Sequence, residues 1–215
     1  MSTFRLSQEQ LQVLEKYTAC DIADALLKLK VPNAGFLPDL KLVAPPSTSI
    51  KNDVIIAPAS TVVMASKTGG DTTALPKANI PAGKHWVDLT EPNTIVVITQ
   101  PEGQKCAVLG GIMALRMKVL NAQGVIIWAK ATSIVGAGAE SKPHSIQVPL
   151  NINGTVINPG DVVFSDAMNG VVVIPQDQLT SVLELLPRLV EADDRVKDDV
   201  IRGVTVQEAF KKHRG

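Results

Sequence analysis

The sequence predicts an α/β fold with helical segments at both ends, and three patterns predict it. Residues 7–30 place apolar side chains at helical spacing between charged ones. Residues 94–124 run from a β-branched strand through a double glycine and a helical pattern to a closing glycine, the order of a strand–helix–strand unit. From residue 176 the pattern is helical again. A β/α core between terminal helices is therefore expected.

The N-terminal segment is expected to form two short helices. Ser7, followed by Glu9 and Gln10, is typical of a helix start, and Thr18 with Asp21 allows a second start. The second helix would bury one apolar face, formed by Ile22, Ala25, Leu26 and Leu29. The segment that follows is rich in proline, serine and glycine, which predicts an irregular connection.

The core is expected to be built from short strands. Residues 53–65 and 94–99 are largely apolar, and the polar residues between them predict a long surface loop. After residue 145, short strands separated by Asn-Gly and Pro-Gly-Asp predict a small antiparallel sheet or barrel. In the C-terminal helical region, Pro187 is expected to kink or split the helix, and two short helical turns should flank Gly203.

Composition excludes several classes of protein. The 21 basic and 21 acidic residues balance, and aromatic residues make up 3%, so neither nucleic acid nor an anionic membrane is an expected partner. Two cysteines form no disulfide framework or metal knuckle. With no secretory leader or membrane-length apolar run, a cytoplasmic protein is expected.

The double glycine Gly110–Gly111 is the strongest candidate for a binding site. A helix start offers unpaired backbone N–H groups, and glycine lets an anion approach them closely. Gly111, Ile112 and Met113 could thus hold a carboxylate or phosphate. The alternative is a tight turn needed only for packing.

Four carboxylates are weaker candidates. Asp21 and Asp24 lie three residues apart on one helix face, where they could bind a metal or act as acid and base. Capping and solvent-facing roles are the commoner alternative. Asp161 follows Pro-Gly and predicts a turn, whereas Asp166 ends a strand and could either point into a cleft or hold a turn.

Two loop groups contain histidine. His85 and Asp88 lie at the end of the long loop, where function concentrates, but no third partner is apparent. Glu140, Lys142 and His144 follow one another closely and could bind an anion or carry a proton. An ordinary solvated loop is the alternative for this group.

Three segments together resemble the RraA-like family: TACDIADALLKL, QPEGQKCAVLGGIMALRMKVLNAQG and PGDVVFSDAMNGVVVIP. The resemblance runs in order from about residue 12 to the C-terminus, where DVIRGVTVQEAFKKH fits the family's closing helix. That family includes a bacterial ribonuclease E regulator and metal-dependent 4-hydroxy-4-methyl-2-oxoglutarate aldolases, which also decarboxylate oxaloacetate.

The resemblance implies a swivelling β/β/α domain over residues 1–215, with an N-terminal helical segment (1–40), a β/α core (41–175) and C-terminal helices (176–215). It also implies a ring-shaped homotrimer with active sites between subunits, and a divalent metal, Mg²⁺ or Mn²⁺. The pyruvyl carboxylate of a small 2-oxo acid would be bound by backbone N–H groups of the loop, at Gly110, Gly111, Ile112 and Met113.

The chain departs from the family pattern after the glycine-flanked helix. Aldolase members carry a Gly-x-x-Arg-Asp segment there, whose Arg grips the substrate and whose Asp ligates the metal. An ungapped alignment would put Thr132 and Ser133 at those positions, but a deletion keeps the downstream segments in register. The missing length corresponds to a crossover connection, so two strands that should lie side by side are expected to be fused, and either the remaining sheet rearranges or the fold is compromised.

Three interpretations of function follow. The first is a metal-dependent lyase, either an aldolase or an oxaloacetate decarboxylase, whose activity is impaired here because the Arg-Asp segment is absent. The alternative is a non-catalytic, RraA-type regulator that binds another protein. An inert truncated product is the third. None of Asp21, Asp24, Asp88 or Asp166 matches the family's metal position, so no metal ligand is predicted.

Overall fold

The computed structural model describes residues 5–40, 54–69, 75–129 and 132–214. Five helices lie in these ranges: α1 (Gln8–Leu14), α2 (Ala19–Lys28), α3 (Gly111–Val119), α4 (Leu179–Ile201) and α5 (Val206–His213). Among the described residues, no helix combines the length and the apolar character that crossing a membrane requires.

The two N-terminal helices begin where their caps predict. The Ser7 and Thr18 side chains each accept a hydrogen bond from the backbone N–H three residues later. In return, the Gln10 and Asp21 side chains accept hydrogen bonds from the backbone N–H groups of Ser7 and Thr18. Ile22, Ala25 and Leu26 of α2 are fully buried, and Leu29 is packed at the margin of the same cluster. The expectation of two capped helices is confirmed.

Nine strands were found in the described ranges: β1 (Phe36–Leu37), β2 (Val54–Ser66), β3 (Ile95–Thr99), β4 (Gly124–Trp128), β5 (Ser141–Ile146), β6 (Leu150–Ile152), β7 (Thr155–Ile157), β8 (Val162–Asp166) and β9 (Gly170–Ile174). Seven form one mixed sheet in the order β1-β9-β8-β2-β3-β4, with β5 also paired to β2. The α/β architecture with helices at both ends is confirmed.

The strand–helix–strand unit positions the double glycine. β3 and β4 are parallel, with Ile95 opposite Gly124 and Thr99 opposite Trp128, and α3 connects them. A crossover of this kind is required because parallel neighbours cannot be joined by a tight turn. The long strand β2 pairs in parallel with β3 and antiparallel with β8 and β5.

Three apolar clusters cover the two faces of the sheet. One packs α1, α2 and α4 against β8 and β9, with Phe164 at its centre. The second lies under the β6–β7 hairpin and includes Val97 and Val163. The third packs Met117 of α3 and Trp86 of the long loop onto β2 and β3. Burial of these side chains is the main stabilising contribution.

Two expectations about these elements are wrong: the separate sheet formed by all strands after residue 145, and the split of the helix at Pro187. β6 and β7 form a small antiparallel pair as expected, but β8 and β9 belong to the main sheet. Pro187 does not split α4, which runs from Leu179 to Ile201. Pro187 is exposed, while Val182 and Leu186 are buried on the opposite side, so packing offsets the roughly 3 kcal/mol cost of a proline inside a helix.

The expected strand fusion concerns residues 124–134. β4 ends at Trp128, and the next strand, β5, begins at Ser141 and pairs antiparallel with β2. The described part of 124–134 contains one strand, and its parallel neighbour in the sheet is β3. Lys130 lies outside the described residues. β4 is the last strand of the sheet on that side.

Candidate anion-binding site

The double glycine lies at the start of α3. Gly110 is the N-cap residue, and no side chain caps the first turn. The helix begins with the bond from Ala114 N–H to Gly110 O. The N–H groups of Gly111, Ile112 and Met113 therefore precede the first helical hydrogen bond, as an anion site requires. A Cβ added at Gly110 or Gly111 would meet no atom within 4 Å, so open space adjoins both backbones.

A cavity of about 430 Å³, here called the Gly110 cavity, opens at this helix start. Its floor is apolar and includes Met64, Trp86 and Val108. Its remaining walls come from the end of β2, the double glycine and the start of β5. They are lined by Lys67, His85, Ala107, Gly110, Gly111, Ile112, Met113, Gly136, Ala137, Gly138, Ser141, Lys142 and Pro143.

The charges around the Gly110 cavity favour an anion. Lys67 and Lys142 line it from the paired ends of β2 and β5, and His85 adds an imidazole. His85 Nδ1 accepts the Val87 N–H at 3.3 Å, so the neutral ring carries its proton on Nε2. Among the described residues, no carboxylate lines the cavity. The two lysines and the helix N-terminus therefore all favour a negatively charged ligand.

The group Glu140, Lys142 and His144 does not form one site. Lys142 lines the Gly110 cavity, but His144 Nε2 bonds to Pro76 O at 2.8 Å. The Glu140 carboxylate accepts backbone N–H groups of the preceding loop. The three side chains therefore contact different parts of the molecule.

His85 and Asp88 also have separate roles. His85 lies in the Gly110 cavity, whereas Asp88 forms an ion pair with Arg116 of α3 at 2.7 Å. This exposed pair fixes the loop against the helix and contributes little stability. The lone histidine–carboxylate pair suspected at the loop end is therefore not a catalytic pair.

The four carboxylates have structural roles or face solvent. Asp21 belongs to the Thr18 capping box, and Asp24 is exposed. Asp161 accepts backbone N–H groups from Asn158 and Gln176, and burial raises its pKa despite those bonds. The turn interpretations are confirmed for Asp161 and also for Asp166, which accepts from Met168 and Asn169 in the β8–β9 turn.

The described side chains do not fit a divalent metal at the Gly110 cavity. Mg²⁺ in proteins is usually held by one or two carboxylates together with water. The cavity presents two ammonium groups, an imidazole and a hydroxyl, and no group of three or more His, Cys, Asp or Glu residues was found in the described ranges. Thr132 and Ser133 do not line it, and Ser133 Oγ accepts the Val135 N–H.

Sequence reasoning missed Lys67 and the segment 136–138. Lys67 Nζ donates to Gly138 O at 2.7 Å, which joins two walls of the cavity. Neither segment has a recognisable local pattern. They meet because β2 and β5 pair antiparallel, with Ser66 opposite Ser141. Only this long-range pairing shows that both belong beside the double glycine.

Comparison with known proteins gives matches in both sequence and structure. A family model described as RraA-like, Aldolase/RraA, matches residues 120–173, which run from the end of α3 to β9. The fold agrees with that match. An uncharacterized protein from Pseudomonas syringae pv. tomato superimposes with a TM-score of 0.72 at 21% identity, covering 99% of this chain and 97% of its own. Over residues 120–173 the chain therefore matches the RraA-like family in sequence, and its fold is that of RraA-family structures.

A second solved structure shares the fold. Streptomyces coelicolor RraAS2, described as an unusual member of the RNase ES inhibitor RraA family, has a TM-score of 0.65 at 18% identity over 94% of this chain and 98% of its own. These structural likenesses establish the fold.

Curated proteins also match in sequence, two of them over more than two thirds of this chain. DlpA of Legionella pneumophila is 26% identical over 93% of this chain, which spans only 33% of DlpA. A Halalkalibacterium halodurans protein named "Putative 4-hydroxy-4-methyl-2-oxoglutarate aldolase" is 29% identical over 70% of this chain and 73% of its own length.

Proposed function

We propose that this RraA-like chain binds a small 2-oxo acid of the pyruvyl type in the Gly110 cavity, and that it is a lyase-class member whose metal-dependent activity is impaired. The observation that carries the proposal is the convergence of the uncapped α3 N-terminus with Lys67 and Lys142 on one cavity. The relative named for an aldolase supports the lyase class.

The ligand chemistry follows from the cavity. A carboxylate accepts hydrogen bonds from the N–H groups of Gly111, Ile112 and Met113, and the adjacent 2-oxo oxygen accepts from an ammonium group. The short apolar tail contacts Met64 and Trp86. A cavity of about 430 Å³ is ample for three or four carbons.

Pyruvate binding tests the proposal directly. We expect saturable binding by isothermal titration calorimetry, and Lys142→Met should weaken it by about tenfold because one charge-assisted hydrogen bond is lost. Lys84→Met is the matched control, since Lys84 is an exposed lysine that does not line the cavity. Equal affinities for the two variants, or no binding by the wild type, would contradict the proposal.

A second feature supports assembly with copies of this chain or binding to another protein. Ile112, Leu115 and Val119 form a stripe along the outer side of α3 and are 78%, 62% and 66% exposed. Their spacing puts them on one helix face, opposite the Met117 side that packs on the sheet. Exposed apolar patches of this kind mark interaction sites. We propose a homotrimer, and the non-catalytic regulator remains the second candidate function.

Light scattering coupled to gel filtration tests assembly. We expect the wild type to elute above the 22.8 kDa monomer mass, and Leu115→Glu to shift it toward the monomer because a charge would be buried at the contact. Leu27→Glu, at a similarly exposed leucine on α2, should leave the mass unchanged. A monomeric wild type would contradict assembly. Loss of a co-purifying partner in Leu115→Glu, with pyruvate affinity intact, would favour the regulator.

A further inference from the structure

Glu140 connects the loop before the double glycine to the rest of the cavity. Its carboxylate oxygen Oε2 accepts the backbone N–H groups of Lys105 at 2.6 Å and Cys106 at 2.9 Å. These two residues immediately precede the cavity-lining residues Ala107 and Val108. Hydrogen bonds from backbone N–H groups to a carboxylate are short and roughly twice as strong as neutral ones.

The main chain of Glu140 makes a second set of contacts. Its carbonyl oxygen accepts the Lys67 N–H at 2.8 Å and the Gln104 Nε2 at 2.9 Å. One residue therefore joins the end of β2, the loop before α3 and the start of β5. Each of these segments supplies residues to the Gly110 cavity.

We infer that Glu140 is the positioning residue of the Gly110 cavity, holding the start of α3 at a fixed distance from the Lys67 and Lys142 walls; this rests on the proposed anion-binding function. The carboxylate itself does not line the cavity, so its charge is directed at the Lys105 and Cys106 amides and away from the ligand. Binding groups must be held within about half an ångström of productive geometry to be effective.

The protonation state agrees with this role. The hydrogen bonds from the Lys105 and Cys106 backbone lower the pKa of the Glu140 carboxyl below its usual value. The group is therefore ionised at neutral pH and accepts both bonds continuously.

The test compares three variants for pyruvate binding by calorimetry, with thermal melting recorded for each. Glu140→Ala removes both side-chain bonds and should weaken pyruvate binding by about tenfold or more. Glu140→Gln keeps an acceptor oxygen and should bind within about threefold of the wild type. Glu102→Ala removes an exposed carboxylate from the same loop and should leave the affinity unchanged. Wild-type affinity in Glu140→Ala, or an equal loss in Glu140→Gln, would overturn the inference.

Amide hydrogen exchange separates this inference from the proposed function, because it needs no ligand. In Glu140→Ala, the hydrogen-bonded amides of Ala107, in the loop before α3, and Ala114, at the start of α3, should exchange faster than in the wild type, while those of β3 should be unaffected. If the wild type fails to bind pyruvate, the proposed function is wrong, and the exchange result alone decides the role of Glu140. Unchanged exchange at the start of α3 would refute the positioning role.

Discussion

Replacing Asp166 by alanine is expected to destabilise the protein by about 3 kcal/mol, a large part of the stability of an ordinary domain. Its carboxylate is 7% exposed and accepts four hydrogen bonds. Three come from Met168 N–H and from the backbone and side chain of Asn169, in the β8–β9 turn. The fourth comes from Ala19 N–H at 3.2 Å, at the N-terminus of α2.

The substitution therefore removes the acceptor that joins a helix start to a strand turn. Alanine would leave donors from both elements without this partner, and the negative charge that complements the α2 dipole would be lost. Urea unfolding measures the effect. Asp24→Ala, at an exposed carboxylate on α2, is the control and should change stability by less than about 0.5 kcal/mol. An equally small change in Asp166→Ala would show that these bonds are not stabilising.

The pH dependence of this effect has a defined sign. Burial would raise the pKa of Asp166, but the hydrogen bonds from Asn169, Ala19 and Met168 outweigh it and lower the pKa. A carboxyl whose pKa is lower in the folded state stabilises the fold above its unfolded pKa, and that contribution is lost as the pH falls through the folded value. The difference between wild type and Asp166→Ala should therefore shrink below about pH 4.

Oxaloacetate decarboxylation in the presence of Mg²⁺ or Mn²⁺ is expected to proceed at close to the spontaneous rate. Cleavage or decarboxylation of a 2-oxo acid develops enolate charge, which a divalent cation and an arginine would stabilise. The Gly110 cavity offers lysines and backbone N–H groups for the substrate carboxylate, but no carboxylate among its described lining residues to hold the cation. Loss of one oxyanion donor alone commonly costs about 100- to 1,000-fold.

A coupled assay of pyruvate release, with and without EDTA, measures this activity. Turnover typical of enzymes, abolished by EDTA, would contradict the expectation and require a metal site elsewhere. The double substitution Thr132→Arg and Ser133→Asp is an informative control. It installs the missing residue types at the ungapped positions, and it should not restore turnover because neither position lines the Gly110 cavity. Restoration would show that the ungapped alignment, and not the deletion, is correct.

The elements that sequence predicted well are those specified by neighbouring residues. Capping boxes at Ser7 and Thr18, the glycines around α3 and the β-branched run of β3 each determine local backbone geometry. The turn roles of Asp161 and Asp166 also follow from residues within a few positions. For these features the interaction partners are close in sequence, so the pattern identifies them.

The errors concern interactions between distant segments. Pro187 should break an isolated helix, but α4 continues because its opposite face is packed on α2 and the sheet. The strands after residue 145 read as a separate small sheet because their spacing is regular. Pairing of β8 with β2 places two of them in the main sheet instead, and no local pattern encodes that choice of partner.

By itself, the sequence determined the resemblance to a family, the α/β class, the helix boundaries near the N-terminus and the helix start at Gly110–Gly111. Tertiary structure alone decided that Lys67, His85 and Lys142 line the cavity at that helix start. It also decided that the Glu140 carboxylate accepts hydrogen bonds from the backbone of the loop before α3. The physical reason is the range of the interactions: caps and turns act over three or four residues, whereas a cavity exists only when β2, α3 and β5 have been brought together by strand pairing.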